Sequence, residues 1–517
     1  MMIIATCTRS LNLARTLLGL SATAVLAPTL LAQSSVAAPP CMDSTIELKM
    51  SLAHLPGLAA SIVRDGEILW ADAYGFANIE LGVPASIDTP FFLASISKTV
   101  TGVCLMQLRD QGFLDLDDNI NDHLAFTVEN PNHPGVPITF RHLLTHTSGI
   151  RDNWPLLDPL YLPGDSPFSL ASFLPDYLVP GGKFYDSEKN FNTWAPGSTY
   201  QYCNQAVSLL GLLIEEISGQ DFAEYAKANV FLPLGMNDTS FRYTDFDPDT
   251  LAMPYGWNNS TQSYFAHGHY GYPDYPAGTM RSSIMDLTKF MLAVSGDGSH
   301  AGAQILSAST IQEMKTVQYP AINNTQGLIF YYNNLFGEWK IGHDGGDPGV
   351  LTDMYFDPES ESGAIILANG DSGFSHYFDI YEWLFTFEKS LATEVVRLGT
   401  PPNPEAFLGG LTSSPIIGAI WDPLIDHSSF VTDSVLDFLL LSDTPSNVEM
   451  GLQGTLLCNL ASPAFLFEAT APGSVFTLEV PEDCQILGVQ LYTQAGSIDS
   501  AGNAFLANGL DLTIGAF

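Results

Sequence analysis

The chain has 517 residues, more than one ordinary domain needs, so two domains and a sizeable core are expected. Its 56 acidic residues against 18 basic ones leave a net charge of −38, which repels nucleic acid and anionic membrane surfaces and argues against both as partners. Six cysteines at this length do not make a disulfide scaffold, and no cysteine pair has zinc-ligand spacing.

At the start of the chain, Arg9 and Arg15 precede an apolar run over 17–31, and small residues follow at Ala32 and Val36-Ala37-Ala38. That is the layout of a secretion signal over 1–38, cut after Ala32 or Ala38, which implies a secreted or periplasmic protein. Ser21, Thr23, Pro28 and Thr29 interrupt the run, leaving it marginal for spanning, so no membrane insertion is expected after cleavage. Cys41 follows Pro39-Pro40 rather than small residues, so it does not read as a lipid-modified cysteine.

The stretches 58–63 and 68–73 read as a β-hairpin around Arg64-Asp65-Gly66. Phe91-Phe92-Leu93-Ala94-Ser95-Ile96-Ser97-Lys98 follows, with Val100, Val103, Cys104 and Leu108 at the spacing of a helix that buries one face. A helix starting near Ser95 sets Ser95 and Lys98 three residues apart on one side of its first turn. A serine hydroxyl is a poor nucleophile until a base takes its proton, and a lysine serves as that base only when its pKa is depressed. A capping serine with a lysine one turn later is also a common structural device, so the pair needs partners elsewhere. Cys104, on the apolar helix face, reads as an inert core thiol.

His142 and His146 are four residues apart, but no glutamate lies between them and no third ligand is evident, so structural histidines are expected. Residues 151–199, rich in Pro, Gly, Asp and aromatics with little periodicity, read as a long ordered loop over the site that sets substrate preference. Tyr202 and Asn204 lie in the loop entering a helix marked by Leu210, Leu213, Ile214 and Ile217 and stopped by Gly219. From there a phenol and an amide reach one cleft; the bland alternative for Tyr202 is a half-buried core tyrosine. His343-Asp344-Gly345-Gly346 reads as a strand end running into a glycine-rich turn, where backbone N–H groups are open to hold an oxyanion. Two further antiparallel strands are expected over 350–356 and 364–368.

Past residue 395 the texture changes. Pro401-Pro402-Asn403-Pro404 reads as part of a linker over 396–405, and 406–517 as a small all-β, sandwich-like module of short alternating runs. Cell-surface or carbohydrate contact is open to that module. Within it, Cys458 and Cys484 are candidates to pair in an oxidising compartment.

Ser95-x-x-Lys98, Tyr202-x-Asn204 and His343-x-Gly345, in that order, resemble the serine β-lactamase-like superfamily of penicillin-binding DD-peptidases, class C β-lactamases, D-aminopeptidases and related esterases. Thr145-His146-Thr147-Ser148-Gly149, Pro233-Leu234-Gly235-Met236 and Pro276-Ala277-Gly278 carry the same resemblance, which spans 44–395. It implies an α+β, β-lactamase/transpeptidase-like fold: an antiparallel sheet with flanking helices plus a helical subdomain, followed here by the all-β module. It implies an acyl-enzyme on Ser95, proton transfers shared by Lys98 and Tyr202, and substrate orientation by Asn204, which would also orient Lys98. His343, Gly345 and Gly346 would bind substrate, with the N–H groups of Ser95 and Gly346 as the oxyanion hole. No metal or cofactor is implied, and the expected partner is a small peptide, ester or β-lactam.

The third motif departs from the Lys-Thr-Gly of many relatives, whose lysine attracts a substrate carboxylate. A histidine there is mostly neutral at pH 7. Carboxylate recognition and strong β-lactam hydrolysis are correspondingly in question. A D-amino-acid peptidase is the leading expectation, with a short-chain esterase, a β-lactamase, and a non-catalytic sensor or binding protein as alternatives.

Overall fold

Strand Gly57–Arg64 is buried along almost its whole length and feeds two cores at once. In the computed structural model, which describes residues 40–461 and 464–516, Leu58, Ala60 and Ile62 face one apolar cluster while Ala59 and Val63 face another. This follows from the two-residue period of a strand in a sheet covered on both sides. The expected signal segment lies outside the described residues.

The central sheet has seven antiparallel strands in the order Tyr331–Leu335, Glu338–Asp347, Val350–Phe356, Gly363–Ala368, Gly57–Arg64, Glu67–Asn78 and Val83–Pro84. Helices Pro40–Ala53 and Phe374–Lys389 cover one face through Met42, Ile46, Met50, Tyr377, Ile380 and Leu384. Helix Ile284–Ser295 lies on the other through Leu287, Phe290 and Met291, and the hydroxyls of Thr288 and Ser61 share a 2.7 Å hydrogen bond there. Among the described residues, no helix is long and apolar enough to cross a membrane. This is the β-lactamase/transpeptidase-like architecture, with a strand-rich region after it.

Helix Ser97–Asp110 differs from the one-faced helix its apolar spacing predicts, because every residue from Ser97 to Leu108 is buried. Its polar side chains tolerate this because they are paired. Thr101 donates to the Pro276 carbonyl at 2.6 Å, and Gln107 donates to the carbonyls of Asn229 and Ile305 at 2.9 and 3.0 Å. The apolar period was visible in sequence; the partners of the polar face, more than a hundred residues away, were not.

The 151–199 stretch contains the short helices Trp154–Leu157 and Leu170–Leu178. It also holds the 3-10 turn Asp158–Leu160 and the short strand Leu162–Pro163, and buried amides tie much of the rest. Asn190 donates to the carbonyls of Tyr177 and Phe184, both at 2.8 Å, and Asn153 donates to Asn190 at 3.0 Å.

At the C-terminal end a five-stranded sheet runs in the order Thr393–Arg397, Ala504–Thr513, Gln490–Asp499, Ser434–Ser442 and Ala464–Glu468. Its first strand precedes and overlaps the start of the 396–405 stretch. Cys484 does not pair with Cys458. It is bonded to Cys41, 443 residues away, which ties the first helix to the strand-rich region. Cys458 is buried in strand Thr455–Cys458, its thiol directed at the carbonyls of Tyr492 and Leu440, whereas Cys484 lies on a short turn beside that helix.

Candidate active site

Ser95 occupies a 3-10 turn, Ala94–Ile96, immediately before helix Ser97–Asp110. Ala94 enters that turn at φ 48°, a left-handed conformation that is uncommon and costly for a residue with a side chain. Hydrogen bonds on both flanks hold it there. Leu93 donates to the Met280 carbonyl at 2.9 Å, its own carbonyl accepts from Thr352 Oγ1 at 2.8 Å, and Ser97 Oγ accepts from the Met280 N–H at 3.1 Å.

Lys98 is fully buried. Its ammonium donates to Ser95 Oγ at 2.8 Å and to the Ala277 carbonyl at 2.6 Å, and it lies 4.9 Å from the centre of the Tyr202 ring. Burial pulls its pKa down to about 8, against the opposing pull of Asp152, Asp274, Asp347 and Asp344. Burial pushes the Tyr202 phenol well above its ordinary value, an effect that the neighbouring Ser95 hydroxyl opposes. The Ser95 hydroxyl thus contacts an amine that can lose its proton near neutral pH, and that amine lies beside a phenol that keeps its own.

Asn204 opens helix Asn204–Ser218. Its N–H donates to Asp152 Oδ2 at 2.8 Å, while its side-chain Oδ1 is buried without a partner. It makes no hydrogen bond to Lys98; the Ala277 carbonyl is that lysine's second acceptor. Pro276-Ala277-Gly278 was legible as a motif, but a backbone acceptor leaves no side-chain signature.

His343 is 2% exposed, with Nδ1 2.6 Å from the Asp344 carbonyl and Nε2 buried without a partner. Burial, reinforced by Lys98, pulls its pKa down to about 3. The ring is therefore neutral at physiological pH and no substitute for a cationic lysine. On the same strand, a side chain at Gly345 would put its Cβ 2.4 Å from the Leu93 carbonyl and 3.0 Å from the Ser95 nitrogen. Only glycine lets this strand approach the serine turn so closely. A Cβ at Gly346 would meet nothing within 4 Å, so its backbone faces open space. The partner strand Tyr331–Leu335 pairs only as far as Gly342, so 343–347 is the sheet's open edge on that side.

Asp152, Asp274 and Asp347 were not singled out in sequence. Asp152, in the 151–199 loop, caps the Asn204 helix through Asn204 and Gln205 N–H groups at 2.8 and 3.0 Å. It stands about fifty positions from what it caps, beyond any local signal. Asp347, also on the open edge, accepts from the hydroxyls of Tyr272 and Tyr161 at 2.9 and 3.2 Å. Burial pushes Asp347 up to about 6 and Asp274 up to about 7. His142 accepts from the Thr139 N–H at 3.2 Å, while the His146 ring lies tilted against Tyr202, so the two histidines serve different neighbours. Beyond Tyr202 a cleft of about 460 Å³ opens, lined by Asp152, Trp154, Glu188, Trp194 and others of the same loop.

The family model described as Beta-lactamase matches residues 42–385. Over 341 residues the chain is 27% identical to Protein flp of Staphylococcus aureus (strain NCTC 8325 / PS 47), covering 64% of this chain and 63% of that one. It therefore spans under two thirds of that relative's length. Among solved structures, the penicillin binding protein from Bacillus halodurans matches with a TM-score of 0.54 at 27% identity, covering 66% of this chain and 99% of the other. The octameric penicillin-binding protein homologue from Pyrococcus abyssi, at 20% identity and a TM-score of 0.52, covers 91% of this chain and 99% of its own. The shared fold therefore extends into the C-terminal strands.

Proposed function

The chain belongs to the beta-lactamase family of serine hydrolases, and on that premise we propose that it is secreted and cleaves D-amino-acid peptides or amides through an acyl-enzyme on Ser95. The observation that carries this is the Ser95 hydroxyl 2.8 Å from the buried Lys98 Nζ, which itself lies 4.9 Å from the centre of the Tyr202 ring. Ser95 Oγ attacks the substrate carbonyl as its proton passes to neutral Lys98 or through Tyr202. The oxyanion is held by the N–H groups of Ser95 and Gly346. Collapse breaks the C–N bond and returns the proton to the leaving amine. Water then attacks the acyl-enzyme by the reverse proton path and frees Ser95.

Within that class the charges favour a substrate with a free amine over one ending in a carboxylate. Neutral His343 stands at the third motif, and the carboxylates of Asp152, Asp344 and Asp347 act on Lys98. A carboxylate brought into that field is repelled and an ammonium is attracted. Penicillins and D-Ala-D-Ala peptides, which carry a carboxylate, should then be poor substrates, and D-amino-acid amides good ones. Neutral short esters also fit and constitute the second reading. Export is supported by the Cys41–Cys484 disulfide, a bond that persists in oxidising compartments.

The test compares wild type and Ser95→Ala on a D-alanine anilide, a D-Ala-D-Ala peptide, p-nitrophenyl acetate and a fluorescent fluorophosphonate. The variant should lose turnover and labelling alike. Retained labelling would sink the nucleophile assignment, and faster cleavage of the D-Ala-D-Ala peptide than of the anilide would sink the charge argument. Stoichiometric acylation without turnover would indicate a sensor or binding protein instead.

A further inference from the structure

We infer that His146 is the positioning residue for Tyr202: it grips the backbone on both sides of that tyrosine, backs its ring, and so sets where the phenol stands relative to Ser95. The inference rests on the proposed role of Tyr202 in proton transfer. Three contacts carry it. The His146 carbonyl accepts from the Gln201 N–H at 2.8 Å, and His146 Nδ1 accepts from the Cys203 N–H at 3.3 Å. Between these two bonds the imidazole lies against the Tyr202 ring, with centroids 4.5 Å apart and planes tilted by 36°.

Local geometry explains why the job falls to this residue. Tyr202 precedes the first helical turn, so the Gln201 and Cys203 N–H groups have no intrahelical acceptor and need one from elsewhere. His146 follows the short helix Phe140–Leu144 and adopts φ 56°, a left-handed conformation more readily taken by Asn, Asp and His than by most residues. That backbone is costly, and it is held in place where carbonyl and ring both reach the tyrosine segment. Taking the Cys203 N–H at Nδ1 requires the neutral tautomer with its proton on Nε2. Burial, with Lys98 and His343 nearby, holds the ring well below its ordinary pKa and keeps it neutral. Asp152 grips the other side through the N–H groups of Asn204 and Gln205, so Tyr202 is braced from both directions.

The test measures pre-steady-state acylation of the full chain by p-nitrophenyl acetate in His146→Ala, His146→Asn, Tyr202→Phe and the double variant His146→Ala/Tyr202→Phe. His146→Ala should slow acylation about tenfold or more with KM unchanged, since small displacements of a proton-transfer group are expensive. His146→Asn, which tolerates the left-handed backbone and keeps an acceptor for Cys203, should recover much of the loss. In the Tyr202→Phe background His146→Ala should add no more than about twofold, because its effect passes through the missing phenol. A His146→Ala enzyme acylating at the wild-type rate overturns the inference while leaving the proposed function intact. So does one whose melting temperature and active fraction fall while the rate per active site holds. A Tyr202→Phe enzyme with undiminished acylation removes the tyrosine's role and overturns the inference, and a His146→Ala loss above about twofold in that background shows that the histidine acts otherwise. Should His146→Ala not fold, His146→Asn carries the test: a partial loss that disappears in the Tyr202→Phe background supports the inference, and one that persists overturns it.

Discussion

Gly345 stands so close to Ser95 that a methyl group on it would lie 3.0 Å from the serine's nitrogen and 2.4 Å from both the Leu93 carbonyl and Thr352 Oγ1. The strand edge and the serine turn are thus fitted to each other across a gap with no room for a side chain. Gly345→Ala should displace one against the other and cost about a hundredfold or more in acylation rate, the scale of losing one oxyanion donor. Burst kinetics with p-nitrophenyl acetate would measure it; a rate within about threefold of wild type would mean the gap plays no part in the chemistry.

Acylation should follow the neutral form of Lys98. With its pKa pulled down to about 8 by burial, the lysine holds its proton below that pH and loses it above. kcat/KM for a neutral ester should therefore rise with pH and level off past about 8. His343 and His146 stay neutral across this range and add no step of their own. Lys98→Met should lower the rate by about 10²–10⁴ and flatten the limb; a limb that survives would assign it to another group.

Asp274 should destabilise the folded chain at alkaline pH. Burial raises its pKa to about 7 in the fold, against about 3.9 unfolded, so between those values the native state binds more protons than the unfolded one. The contribution is fully favourable below the unfolded pKa and is lost as pH rises through about 7. Asp274→Asn removes the titration. Its melting temperature should match wild type near pH 4 and exceed it at pH 8. Equal differences at both pH values would show that Asp274 is not held protonated.

The Cys41–Cys484 bond closes a loop of 443 residues, and long closures restrict the unfolded chain most. Cys484→Ser, or reduction, should lower unfolding free energy by about 2–4 kcal/mol. Active-site titration with fluorophosphonate should not change, because neither cysteine contacts the cleft. Denaturant melts of the oxidised and reduced protein would measure the loss; coincident curves would mean the covalent tie adds nothing.

By itself the sequence determined what is local. The apolar period placed the helix behind Ser95, Gly219 placed the end of the Asn204 helix at φ 70°, and the runs at 58–63, 68–73, 350–356 and 364–368 placed four strands of the central sheet, because each is set by residues a few positions apart. The motif residues were named because three short, separated patterns together resemble one family. Tertiary structure alone decided what depends on distant partners: the Ala277 carbonyl on Lys98, Asp152 on the Asn204 helix, Cys41 on Cys484, and the burial that lowers the Lys98 pKa and keeps His343 neutral. A pKa reports everything packed around a group, and a backbone carbonyl looks the same under any side chain, so neither can be read until the chain is folded.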